Sequence, residues 1–169
     1  MAYKEIISSA RTHVPDAQIQ GVFIEEMESR KYELLIGGKK DELFGPTIVF
    51  GMGGVTVELF KDTNIGLPPL NMALALRLIE NTKIYSLLKG YRGMPGVNIK
   101  SIQFLLFKFA YLLMDFPELK EVDINPFAVD SKGGVVLDAK VILDPDARKV
   151  KPYEHMVISP YPAKYERQV

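Results

Sequence analysis

The 169-residue sequence is 47% apolar and 25% charged, and 21 Lys and Arg balance 21 Asp and Glu. That is the make-up of one globular domain with no net field to recruit nucleic acid or an anionic membrane. There is no cysteine, so disulfide scaffolds and thiolate zinc sites are excluded, and the longest apolar stretch, Phe104–Met114, contains Lys108 and is too short to span a bilayer. No hydrophobic signal region opens the sequence, and a reducing, cytoplasmic setting is expected.

Residues 2–12 carry Ile6, Ile7 and Ala10 on one side, a spacing that predicts a short amphipathic packing helix ending at Val14-Pro15-Asp16. Gly21-Val-Phe-Ile-Glu-Glu-Met27 is a β-rich run that breaks at Glu28-Ser29-Arg30-Lys31; Tyr32–Gly37 and Pro46–Phe50 are two more. With Gly37-Gly38 and Phe44-Gly45-Pro46 read as turns, the pattern predicts an antiparallel sheet. In Phe50-Gly-Met-Gly-Gly-Val55 the glycines either bring backbone close to a ligand or build a hairpin or bulge; neither G-x-G-x-x-G nor a G-K-[ST] loop is present. Val55–Phe60, with Glu58 inside it, resumes strand character, and Asn64–Leu70 reads as a loop or edge strand. Asn71 is an expected N-cap for a helix over Met72–Glu80, with a further turn at Ile84–Leu88 and a loop over Gly90–Gly96. Asn98 is expected to cap the longest helix, Ile99–Met114, whose apolar stripe is Ile102, Leu105, Leu106, Phe109, Leu112 and Leu113. Strands over Glu121–Phe127 and Val135–Leu143 close the sheet, and the Pro- and Tyr-rich end from residue 151 reads as an extended tail or linker.

Asp123, Asn125 and Asp138 are oxygen donors at positions a buried sheet would fill with Val or Ile. Mg²⁺ takes such hard oxygens and completes its shell with water and phosphate. Asn125 and Asp138 are thirteen residues apart, a separation that a β-hairpin can close on one face. The alternative is that Asp123 and Asn125 are turn residues before Pro126 and that Asp138 pairs with Lys140. Glu25, Glu26 and Glu33, at the ends of β runs, suit either ribose hydroxyls or solvent; Lys39 and Lys40 suit either phosphate or a solvated hairpin tip. His13 and His155 have no partners visible in sequence, and no nucleophile elbow or H-E-x-x-H is present.

The ordered series Gly21–Met27, Tyr32-Glu-Leu-Leu-Ile-Gly-Gly-Lys-Lys-Asp41, Phe44-Gly-Pro46, Val49–Val55 through Glu58, Asp123-Ile-Asn-Pro-Phe127 and Leu137-Asp-Ala-Lys140 resembles the ATP-grasp domain of NDP-forming acyl-CoA synthetases, the ADP-forming acetate–CoA ligase group related to succinyl-CoA synthetase β chains. The likeness runs over about residues 20–143. It implies an α+β fold, with residues 1–150 as the C-terminal ATP-grasp lobe, a mostly antiparallel sheet flanked by helices, and the first lobe lying upstream of residue 1. It implies Mg and ATP or ADP as cofactors, with Asn125 and Asp138 as metal ligands. By the same likeness Asp123 is a catalytic position near a visiting phosphohistidine loop. Nucleotide would be bound by Glu25, Glu26 and Met27 as an adenine-reading hinge, by Glu33 at ribose, and by Lys39, Gly53 and Gly54. The implied partners are CoA-binding and phosphohistidine-bearing domains or a subunit, with an oligomer possible and neither nucleic acid nor membrane. The implied chemistry is acyl-CoA, phosphate and NDP giving acid, CoA and NTP, with no turnover expected from the chain alone. A non-catalytic nucleotide-binding or assembly domain of the same fold is the competing expectation.

Overall fold

The computed structural model describes residues 2–54 and 62–158. The strand expected over Val55–Phe60, and residues 159–169 of the expected tail, lie outside the described residues. Helices are α1 (Ala2–His13), α2 (Met72–Glu80), α3 (Tyr85–Leu88) and α4 (Ile99–Asp115). Strands are β1 (Tyr32–Asp41), β2 (Gly45–Met52), β3 (Thr63–Gly66), the short pair β4 (Gly90–Tyr91) and β5 (Met94–Pro95), then β6 (Leu119–Val129), β7 (Gly134–Val136) and β8 (Ala139–Leu143). A 3-10 turn over Pro145–Lys149 follows, capped by Asp144, whose carboxylate accepts the Asp146 N–H.

The main sheet is antiparallel and runs β3-β2-β1-β6-β7, with β8 also pairing β6. This is the expected α+β arrangement. One face of the sheet is dry. Leu34 and Ile36 of β1, Ile48 and Phe50 of β2 and Ile102 and Leu106 of α4 are fully buried. Each such side chain contributes about 1.5–3 kcal/mol relative to exposure, so the sheet–helix contact holds the lobe together. Both helix starts follow the predicted caps: Asn71 Oδ1 accepts the Leu74 N–H and Asn98 Oδ1 the Ser101 N–H.

Three expectations are corrected. Gly37 and Gly38 are not a turn but lie within β1. A Cβ on Gly38 would sit 2.8 Å from the Leu113 methyls, so this glycine lets α4 lie close on the sheet. The turn comes later, where Asp41 Oδ1 accepts the Leu43 and Phe44 N–H groups at 2.9 Å. Gly21–Met27 has no strand; Phe23 and Ile24 are over 90% exposed, at 91% and 92%. Its β propensity is real, but within the described residues no neighbouring strand takes its backbone hydrogen bonds. Finally, α1 forms but buries no residue, with Ile6 exposed, so it is not a packing helix here.

Residues 151–158 of the expected tail lie against the end of α4. The Tyr153 N–H donates to the Met114 carbonyl and its hydroxyl to Asp115 Oδ1 at 2.6 Å. His155 Nε2 donates to the Leu113 carbonyl at 2.8 Å, and Met156 is buried. Among the described residues no helix is long and apolar enough to cross a membrane.

The Asp41 turn yields a pH test. The Phe44 and Leu43 N–H groups hold its carboxyl below the ordinary value of 3.8. A depressed folded-state pKa contributes stability that is present above the unfolded pKa and is lost as pH falls through the folded one. Asp41→Ala is therefore expected to lower the thermal midpoint by a few degrees at pH 7, and that gap to shrink below pH ~4. Thermal melts of both proteins from pH 7 down to 3 check it; a gap independent of pH would contradict the assignment.

Candidate functional site

The candidate site is the face of the sheet that no helix covers among the described residues. Along β6, Val122 and Ile124 enter the core, so alternation sends Glu121, Asp123 and Asn125 to the opposite face. Register then aligns a row across the sheet: Ile65 beside Val49, Val49 beside Gly37, Gly37 beside Asp123 and Asp123 beside Lys140. The row is apolar at one end and charged at the other, with a gap at Gly37 between them. A shallow depression of about 280 Å³ lies there, lined by Leu35, Gly37, Lys39, Val49, Glu121 and Asp123.

Next to this row the oxygen donors come together. From Glu121 to Val129, β6 keeps one register with β8 and β7, Ile124 opposite Ala139 and Phe127 opposite Val136. Asn125 therefore falls opposite Asp138, and its N–H donates to the Asp138 carbonyl at 3.2 Å. Asn125 Oδ1 in turn accepts the Gly54 N–H at 2.9 Å. The Gly53 N–H donates to the Glu33 carbonyl at 2.9 Å. Gly54 has φ +66°, and a Cβ there would collide with the Glu33 carboxylate; a Cβ on Gly53 would collide with the Leu34 backbone. The glycines thus seat the turn directly on β1, an approach of backbone to backbone.

The structure accordingly brings together Glu33, Gly53, Gly54, Asn125 and Asp138, with Asp123 one strand position along the same face. Lys39 is opposite Glu121 on β1, within the strand and not at a hairpin tip. Glu25, Glu26 and Met27 lie in the stretch without helix or strand and are exposed, Met27 at 90%. The reading of Asp123 and Asn125 as turn residues is set aside, because both are inside β6, and no Asp138–Lys140 ion pair occurs among the described residues. Burial raises the Asp123 pKa, with Glu121 and Asp138 adding to the effect and Lys140 opposing it. Sequence reasoning missed Glu121, Gly37 and the pairing of Lys140 with Asp123. Glu121 was within reach, since Glu121-Val-Asp-Ile-Asn125 alternates strictly; the Lys140 pairing needed the β6–β8 register.

Among the described residues no three His, Cys, Asp or Glu side chains converge as a metal cluster. The donors present are two carboxylates and one amide oxygen, too few to enclose a cation. They suit a Mg²⁺ that draws its remaining ligands from water and phosphate.

The lobe thus packs its helices on one face of the sheet and carries glycines and oxygen donors on the other. Residues 1–143 match the family model of the ATP-grasp domain, and the chain belongs to that family. It is 37% identical over 142 residues to the acetate–CoA ligase [ADP-forming] I subunit beta of Pyrococcus furiosus, covering 84% of this chain and 61% of that one. The structure resembles acetyl-coenzyme A synthetase 1 of Ca. Korarchaeum cryptofilum in complex with coenzyme A and Ca-AMPCP, at TM-score 0.74 and 40% identity, over 85% of this chain and 62% of that one. A second structure of that synthetase, with coenzyme A and Mg-AMPPCP and its phosphohistidine segment pointing towards the nucleotide binding site, matches at TM-score 0.71 and 35% identity, over 83% of this chain and 64% of that one. The chain therefore spans about three fifths of these relatives.

Gly54 provides the test of this geometry. Gly54→Ala meets both an unfavourable φ and the Glu33 carboxylate, and is expected to cost about 1–3 kcal/mol in a urea melt. Adding Glu33→Ala removes the collision but not the φ penalty, so the double variant is expected to recover part of the loss. Strictly additive losses would contradict the contact.

Proposed function

We propose that this chain is the nucleotide- and Mg²⁺-binding half of an NDP-forming acid–CoA ligase, in which acyl-CoA, phosphate and NDP give acid, CoA and NTP through acyl phosphate and a phosphohistidine carried elsewhere. The observation that carries the reading is the convergence of Glu33, Gly53, Gly54, Asn125 and Asp138 on the open face. The related synthetase, crystallised with Mg-AMPPCP, supports the same ligand class.

On this reading Asn125 and Asp138 hold the metal, Glu33 meets the ribose, the N–H groups of Gly53 and Gly54 border the phosphates, and Asp123 stands beside the transferred group. Lys39 is a less direct phosphate contact. When bound, Mg²⁺ offsets charge on the phosphate oxygens and aligns them. The protein's own contribution is to fix those positions: the Asn125–Gly54 bond locks the glycine turn to the strand that presents the donors, so no reorganisation is required at the moment of transfer. CoA-binding and phosphohistidine-bearing partners belong to the proposal, as does a cytoplasmic setting.

A second reading, a non-catalytic nucleotide-binding or assembly domain, is favoured by one observation: Glu25–Met27, the expected adenine hinge, forms no strand and is exposed. A chimaera separates the two. This chain replaces the matching residues of the Pyrococcus furiosus β subunit, and Mg·ADP binding is measured by calorimetry beside ATP formation from acetyl-CoA, phosphate and ADP. The ligase reading expects both activities, and expects Asp138→Ala to weaken Mg·ADP at least tenfold and turnover about a hundredfold. A folded chimaera that binds Mg·ADP without turnover supports the second reading; one that shows no magnesium-dependent binding overturns both.

A further inference from the structure

The open face carries two acid–base pairs in adjacent rows, Lys39 opposite Glu121 and Lys140 opposite Asp123. Directly opposed residues of an antiparallel pair point to the same side, about 4.5–5.5 Å apart at Cβ. Lys140 is exposed, and among the described residues the ion pairs within 4 Å are Arg30–Glu28, Arg30–Asp130 and Lys40–Asp144. The Lys140 ammonium thus faces Asp123 without closing on it. Lys39 is a row further from Asn125, whereas Lys140 is two positions from Asp138 on the same side, roughly 6–7 Å along an extended chain. Glu121, Asp123 and Asp138 all crowd this area, so a doubly charged phosphoryl group brought beside them would be repelled unless a cation met it. Lys140 is the lysine placed to do so.

We propose that Lys140 is a phosphoryl-binding residue of this site, which meets the terminal phosphoryl group of a nucleoside triphosphate beside Asp123 and makes little contact with a diphosphate. The assignment rests on the nucleotide reading above and deepens it. An exposed cross-strand ion pair, the simpler role, would contribute only about 0.2–1 kcal/mol to stability and would not discriminate between nucleotides.

The test measures binding of Mg·ADP and of the non-hydrolysable Mg·AMPPNP to the chimaera described above by calorimetry, with this chain's residues in it as the parent and as Lys140→Met, Lys140→Arg and Asp138→Ala. Lys140→Met is expected to weaken Mg·AMPPNP about tenfold and to leave Mg·ADP within twofold, with Lys140→Arg restoring most of the difference. Asp138→Ala is expected to weaken both. Equal loss of both nucleotides in Lys140→Met, or no loss of either, overturns the assignment while the Asp138 result keeps the nucleotide reading in place. No Mg·ADP binding by the parent overturns that reading and the Lys140 assignment together.

Discussion

The alternation of side chains along β6 is the constraint on which the candidate site depends. This strand is flanked by β1 on one side and by β7 and β8 on the other, so its register is fixed from both edges. With Val122 and Ile124 committed to the core, Glu121, Asp123 and Asn125 have only the open face to occupy. A one-residue slip would drive three polar side chains into a dry core and lift two aliphatic ones out of it. The same packing that stabilises the lobe therefore aims its chemistry.

Glycine divides the work on the two faces. Gly38 lets α4 settle against the sheet, so that Leu113 and Phe109 occupy the space a Cβ would fill. Gly37, its neighbour, points the other way and keeps the open face low between Val49 and Asp123. Gly53 and Gly54 then bring a second backbone segment onto β1, where Glu33 and Asn125 clasp it from either side. Gly38, Gly53 and Gly54 thus serve close approach, and of these only Gly54 also needs a positive φ.

Elements whose cause is local were legible in the sequence. Asn71 and Asn98 announced helix starts because a cap bonds a backbone group three residues on, and the stripe of α4 follows from its own period. The oxygen donors stood out because their chemistry is wrong for a core. What failed was non-local. Gly37-Gly38 and Gly21–Met27 were misread for related reasons: a glycine pair does not reveal whether it bends the chain or makes room for a helix from seventy residues on, and a β-prone run does not reveal whether a partner strand exists. The meeting of Asn125 with Gly54, and of Asp123 with Lys140, is likewise a property of register, which no single stretch encodes.

The charge on the open face constrains how the proposed site would fill. Glu33, Glu121, Asp123 and Asp138 supply four carboxylates against the two ammonium groups of Lys39 and Lys140. Burial and two neighbouring acids already make an extra negative charge unwelcome at Asp123. A bare nucleotide would add several more, whereas its Mg²⁺ complex arrives with most of that charge offset and with phosphate oxygens to complete a shell that this lobe alone leaves open. Under the proposed function, metal and nucleotide would therefore enter as one species. That the oxygen donors here are too few to enclose a cation is then consistent with a site meant to be finished by its substrate, and the surplus of acid over base on one face of the sheet is what would make it selective for the metal complex over the free anion.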